Sequence, residues 1–378
     1  MSSTLTPEGC AARRDRLWQA LPEPCDVLVI TAPESLVYLA NYAPSPFVFN
    51  SVEAAAALVL WPGRSILIGD NLLQPFLDRS CVDEVVCLDW YTGRESAPAR
   101  RVRFTEGVAE QLSPRSVRRF GVESLGLGSL AASRLCILDP VIRKLRRAKD
   151  PDELALIRRS VRAGEAAHAT AIAQIKPGLT ELDAFLMVQA AAIRELGEQV
   201  LVYGDFVSGP RCENEQGGPP SQRVIERGDL FLLDFSVVVH GYRADFTNTF
   251  VVGDEPTPRQ VELYEICMGA LAAGEALLRP DEPAAQIDAA VRGHFAANGL
   301  DGHFPSHTGH GLGLGHPEPP YLVPESIETL QAHDVVALEP GLYLPGVGGM
   351  RFERNYLITD RGHETLTRHQ LALTPRAE

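Results

Sequence analysis

Residues 230–252 read LFLLDFSVVVHGYRADFTNTFVV, two strand-like arms around His240-Gly241, with Asp234 on one arm and Asp245 on the other. Residues 337–359, ALEPGLYLPGVGGMRFERNYLIT, repeat the plan, with Glu339 and Glu353 on either side of a turn near Gly346. Residues equidistant from a hairpin turn stand opposite each other with Cβ atoms ~5 Å apart, or ~7–8 Å apart when diagonal. Carboxylates that close repel, so burying a pair requires a cation or a shared proton. Between the ribbons lies His310 in GHGLGLG, whose glycines allow close backbone approach. Two acidic pairs and one imidazole have the make-up of a site for two metal ions.

Working outward, the segments that precede each ribbon follow one pattern. Asp150-Pro151 opens a helix to about Gln174, and Thr180, with Asp183 at the capping-box position, opens a second. A helix from about Pro258 to Leu278 and another from about Ala284 to Ala297 precede the second ribbon. Helix, helix, acidic hairpin therefore occurs twice, and packing the halves face to face would bring the ribbons together. The first 147 residues differ: the apolar runs DVLVITA, AAALVLW, SILIGD and EVVCLDW alternate with helical pieces, which predicts a mainly parallel sheet flanked by helices. They hold no concentration of His, Asp or Glu and read as a supporting or oligomerising domain. The expected fold is α+β, an α/β domain over 1–147 followed by a duplicated helix-helix-hairpin domain over 148–378.

Composition narrows the function classes. At 378 residues with 45% hydrophobic and 22% charged side chains, the chain is an ordinary globular protein of two domains. A formal charge of −14 disfavours nucleic acid and anionic membranes as partners. Seven cysteines, odd in number and without C-x-x-C spacing, fit a reducing cytosol. The N-terminus lacks the apolar core of a signal peptide and no stretch is apolar enough to span a bilayer, so a soluble cytoplasmic protein is expected.

Four carboxylates and one histidine exceed what a single small ion needs and suit two ions with bridging acids, which acidify a water and polarise an amide carbonyl. Hydrolysis is the expected reaction class. Each ligand taken alone has an ordinary explanation, such as an edge-strand Asp, a loop His or an EPG turn. The combination of spacings is what carries weight.

The segments GDLFLLDFSVVVHGYRADFTNTF, HTGHGLGLGHPEPPY, ALEPGLY and GGMRFERNYLITD resemble the pita-bread metallopeptidases, the family of aminopeptidase P, prolidase, methionine aminopeptidase and creatinase. Residues 10–145 resemble the creatinase-type N-terminal domain. The resemblance implies that Asp234 chelates one metal, Asp245 and Glu353 bridge both, and His310 and Glu339 bind the second. It implies further that Glu339 shuttles the proton, that Arg351 is the family arginine beside the site, and that the protein is a homodimer. Manganese is the expected ion, with cobalt, zinc or iron as alternatives.

Three positions depart from the proline-specific members, which carry histidines there. Gly217 stands seventeen residues before Asp234, Ser306 four before His310 with His307 adjacent, and Pro317 in the V-H-E step with His316 one place earlier and Glu318 kept. On an extended segment a one-residue shift inverts the side chain, though loops can compensate, so His307 and His316 are carried as candidate catalytic residues. Arg211, Gly217 and Glu318 are carried as substrate-binding candidates. Cys212 reads as a bystander, since no activating base is evident. The leading expectation is hydrolysis of a C–N amide bond in a dipeptide or peptide-like molecule. A non-peptide enzyme of the same fold (cyclic amidine or lactam hydrolase, or lyase) and a non-catalytic binding module are the alternatives.

Overall fold

A computed structural model describes residues 4–47, 54–112, 117–123, 135–214 and 217–375. Glu215, in the charged loop after residue 208, lies outside them. The chain divides into two compact units, Met1–Arg146 and Arg147–Glu378. No helix among the described residues is long and apolar enough to cross a membrane.

The first unit is built on a six-stranded sheet in the order 84–88, 64–70, 57–61, 27–30, 120–122, 135–137. Three of its five contacts are parallel and two antiparallel, so the sheet is mainly parallel, as expected, with Ala57–Trp61 alone running against the rest. The cause is local. Pro62-Gly63, with Gly63 at φ +72, folds Ala57–Trp61 directly onto Arg64–Asp70 as a hairpin. Val27, Val59, Ile66, Ile68 and Leu88 form its core on one face.

In the second unit the duplicated plan is present. Helices Pro151–Gln174 and Glu181–Leu196 start at capping boxes, Asp150 with Glu153 and Thr180 with Asp183. They precede the hairpin Leu230–Val239 and Tyr242–Val251, which turns on His240 (φ 50) and Gly241 (φ 88). Helices Pro258–Glu275 and Ala284–Ala297 precede the second ribbon. The first hairpin pairs with Leu201–Ser208 to give a three-stranded antiparallel sheet. The second ribbon contributes Val335–Leu338 and Arg354–Ile358 to a five-stranded antiparallel sheet that also holds Gly309–Gly311.

That second ribbon is interrupted. Leu338 pairs with Arg354 and Gly341 with Arg351, so two residues on each arm, Glu339-Pro340 and Phe352-Glu353, lie between the paired stretches in unbroken register. Pro340 has no N–H to give. The freed amides turn outward: Glu339 N donates to Thr308 O (2.9 Å) and Glu353 N to Thr247 O (3.1 Å). The gap therefore stitches the ribbon to the His310 strand on one side and to the first hairpin on the other.

Behind the first hairpin, His168 and His369 meet edge to face at 4.7 Å between ring centres, both buried, with His168 Nε2 unpartnered among the described residues. Burial, helped by Arg354, pulls the His168 pKa down to about 3. Since the unfolded imidazole titrates near ~6.5, its contribution is whole above that pH and is lost as pH falls toward the folded value. At pH 5 the cost is about 2 kcal/mol. His168→Phe should keep the packing and lose about that much less stability between pH 7 and pH 5 in urea titrations. Identical pH slopes for the two proteins would show that His168 is not the proton acceptor.

Candidate metal centre

Strand register places the first acids. Asp234 faces Thr247 across the hairpin and Asp205 on the other side; Asp245 faces Ser236, so the two hairpin acids are diagonal neighbours on one face. The same face carries Tyr203, Asp205, Ser236, Arg243 and Thr247 by alternation. In the second ribbon, Glu339 and Glu353 oppose each other across the gap. His310 lies in a strand between Tyr321 and Ala337. Its flanking glycines are required there: a Cβ at Gly309 would stand 2.0 Å from Ala337 O, and one at Gly311 2.1 Å from Pro319 O.

Glu353 is 1% exposed and accepts from Thr247 Oγ1 (2.8 Å) and Asn355 Nδ2 (3.1 Å). Burial, reinforced by Asp245, Glu339 and Asp234, pushes its pKa well above the usual carboxylate range. Burial, with Asp245, Asp205 and Glu339 adding to it and Arg351 opposing, lifts Asp234 to about 7. Asp245 and Glu339 go the other way. Burial works against ionising either, yet His316 and His310 hold Asp245 low, while His307 and His310 hold Glu339 low. Asp245 Oδ1 accepts from Ser236 Oγ at 3.0 Å, and its Oδ2 lies 2.6 Å from His316 Nε2. Glu339 Oε1 lies 2.8 Å from His307 Nε2 and 3.2 Å from His310 Nε2. The His310 pKa rises to about 9: burial opposes the charge, and Glu339 and Asp245 outweigh it.

Arg351 sits inside this cluster. It bonds Asp234 and, at 2.9 Å, Asp205 through Nη2, and donates to Tyr343 Oη at 2.8 Å through Nη1. Arg351 and the three imidazoles face five acids, Asp205, Asp234, Asp245, Glu339 and Glu353. Burial, with the neighbouring acids adding to it, keeps Asp234 and Glu353 raised all the same. Three groups of donor atoms fall within 4.8 Å of one another: Asp245, His310 and His316; His307, His310 and Glu339; and Asp234, Glu339 and Glu353. The residues present therefore fit divalent ions.

All five residues expected as ligands are brought together, with Arg351 among them. His307 and His316 both reach the cluster. His316 lies in a bend and His307 in irregular backbone, both outside the strands, where the alternation that would turn them away does not apply. Two substrate-binding candidates have partners within the protein. The Arg211 guanidinium is taken up by Glu181, Ser221 Oγ (3.1 Å) and Pro219 O (3.0 Å), which pins its own loop. Glu318, 6% exposed, bonds Lys149 Nζ (2.8 Å) and Gly315 N (2.9 Å) and so braces the loop that carries His316. Gly217, at φ +63, lies on Asp205, whose Oδ2 would be 2.0 Å from a Cβ there. Cys212 is fully buried with its thiol pushed up to about 12 by burial, no nucleophile.

Residues missed in the sequence are Asp205, Tyr203 and Arg243. Arg243 was within reach, being two places before Asp245 on the same face of its strand. Asp205 and Tyr203 enter through the pairing of Leu201–Ser208 with the hairpin, a partnership no local pattern announces.

Residues 155–360 match the model of metallopeptidase family M24. The uncharacterized peptidase YqhT of Bacillus subtilis is 32% identical over 275 residues, 69% of this chain and 77% of that protein. Among solved structures, the Xaa-Pro dipeptidase from Bacillus anthracis superposes with a TM-score of 0.81 at 25% identity, covering 96% of this chain and 99% of its own. Dipeptidase PepE from Mycobacterium ulcerans gives 0.77 at 27% identity over 99% of this chain and 100% of its own.

Proposed function

Because the chain belongs to metallopeptidase family M24 and has its α+β pita-bread fold, we propose that it hydrolyses the C–N amide bond of a dipeptide or small peptide-like molecule using two divalent ions. Asp234, Asp245, His310, Glu339 and Glu353 would hold the ions. What supports the reading is the convergence of four carboxylates, Asp245, Glu339 and Glu353 buried and Asp234 partly so, whose mutual repulsion bound cations would relieve. The ions, with manganese the first expectation, would acidify a water and polarise the scissile carbonyl.

The chain's own groups supply the rest. Glu339, ionised between His307 and His310, is suited to take a proton from the attacking water and return it to the departing nitrogen. Arg351, held by Asp205 and Tyr343, fixes the Asp234 carboxylate. His307, whose side chain is 39% exposed, is the imidazole open to a substrate carbonyl or carboxylate.

The seat of one family histidine at Gly217, closed against Asp205, favours a second reading in which the substrate is a small cyclic amide and not an Xaa-Pro peptide. One screen separates them. Protein purified without chelator should contain divalent metal and cleave at least one dipeptide class, with activity lost on chelation and regained on adding Mn²⁺ or Co²⁺. Turnover confined to lactams or cyclic amidines would favour the second reading. Absence of divalent metal, together with inertness across both panels, would overturn the hydrolase assignment.

A further inference from the structure

The donor groups around the centre are unequal. On one side Asp234, Glu339 and Glu353 offer oxygen alone; on the other, Asp245 is faced by two imidazoles, His310 and His316. His316 Nε2 stands 2.6 Å from Asp245 Oδ2, and the two rings lie edge to face at 4.9 Å.

We propose that His316 is itself a metal ligand, giving the position at His310 a second imidazole and a preference for zinc or cobalt over manganese. The inference rests on the two-metal reading above. Its support is the outer partner that each ring keeps. A ligating histidine is oriented by a hydrogen bond on its other nitrogen. His310 Nδ1 has Gly311 O at 2.8 Å, and His316 Nδ1 has Tyr203 Oη at 3.2 Å. Tyr203 is fixed in turn: Arg243 Nη1 donates to its oxygen at 2.8 Å, while Arg243 Nη2 donates to Leu314 O at 2.7 Å, on the same loop as His316. Both nitrogens of His316 are thus aimed, one at the braced phenol and one at the carboxylate cluster.

His307 also lies within ligating reach of His310 and Glu339. Its side chain is more exposed, 39% against 26% for His316, and among the described residues its Nδ1 has no comparable outer partner. Imidazole donors favour zinc and cobalt, whereas an all-oxygen set suits manganese or magnesium. The two positions would then differ in how strongly they favour zinc or cobalt.

The test uses the full-length chain equilibrated with equimolar Zn²⁺ and Mn²⁺, with bound metal counted by elemental analysis and the Co²⁺-loaded form followed by visible absorption. The parent should hold at least one zinc per chain in that competition. His316→Gln should keep manganese while its zinc affinity falls at least ~100-fold and the cobalt band shifts; Tyr203→Phe, which removes only the outer partner, should cost ~10–100-fold. Circular dichroism confirms that each variant is folded. Zinc affinity and a cobalt spectrum unchanged in both variants, with only kcat reduced in His316→Gln, would overturn the proposal and make His316 a substrate contact. If the parent binds no divalent ion at all, it is the two-metal reading that fails.

Discussion

Asp245→Ala should abolish metal retention and turnover together. Asp245 is 3% exposed, shares the hairpin face with Asp234, and belongs to the donor group containing His310 and His316. Its Oδ1 is aligned by Ser236 Oγ and the Phe246 amide (3.2 Å), which leaves Oδ2 toward the centre. Among the described residues Asp245 is the carboxylate of the first hairpin that shares a donor group with the two imidazoles. Loss of catalysis on the order of 10³-fold or more is expected, since bound ions contribute several kcal/mol to such transition states. Elemental analysis and steady-state rates on one preparation check it. Retention of two equivalents of metal with near-parental turnover would remove Asp245 from the site.

Lys149→Met should produce the largest loss of stability. Lys149 is 2% exposed, its Nζ bonded to Glu318 (2.8 Å) and to Arg147 O (3.2 Å). Taking the ammonium away leaves the Glu318 carboxylate buried opposite a thioether, a change that costs about 3–5 kcal/mol. Urea unfolding should show that drop, and the Lys149→Met, Glu318→Gln double variant should recover most of it, because a neutral amide no longer demands a cation. Activity should fall as well: the other oxygen of Glu318 holds the Gly315 amide, next to His316. A single variant within 1 kcal/mol of the parent, measured by the same method, would show that the pair is dispensable.

How much of this was readable in advance follows from how local each feature is. A hairpin is set by its turn, so His240-Gly241 sufficed to make Asp234 and Asp245 neighbours, and Gly346 sufficed for Glu339 and Glu353. Helix starts at Asp150 and Thr180 were equally legible, each being written in three or four consecutive residues. Pairings across long loops were not. The strand Leu201–Ser208 finds its register some thirty positions away, and Asp205 and Tyr203 came with it unseen. The partners of Arg211 and Glu318 were not legible for a related reason: charge in a loop near a site looks the same whether it meets a ligand or a residue such as Glu181 or Lys149. His307 and His316 were left open by a rule for strands, and the irregular segments that carry them lie outside its scope.

The in-phase interruption at Glu339-Pro340 and Phe352-Glu353 sets what changes of length this ribbon can survive. Each arm contributes the same number of residues between its paired stretches, so a deletion or insertion of one residue on either arm would invert a carboxylate from the centre to the opposite surface. The tip around Pro345-Gly346-Val347 carries no such bookkeeping. Grafted peptides, tags or natural insertions should be accepted there and nowhere else along the ribbon, which makes the tip the place to attach a reporter without disturbing the chemistry below.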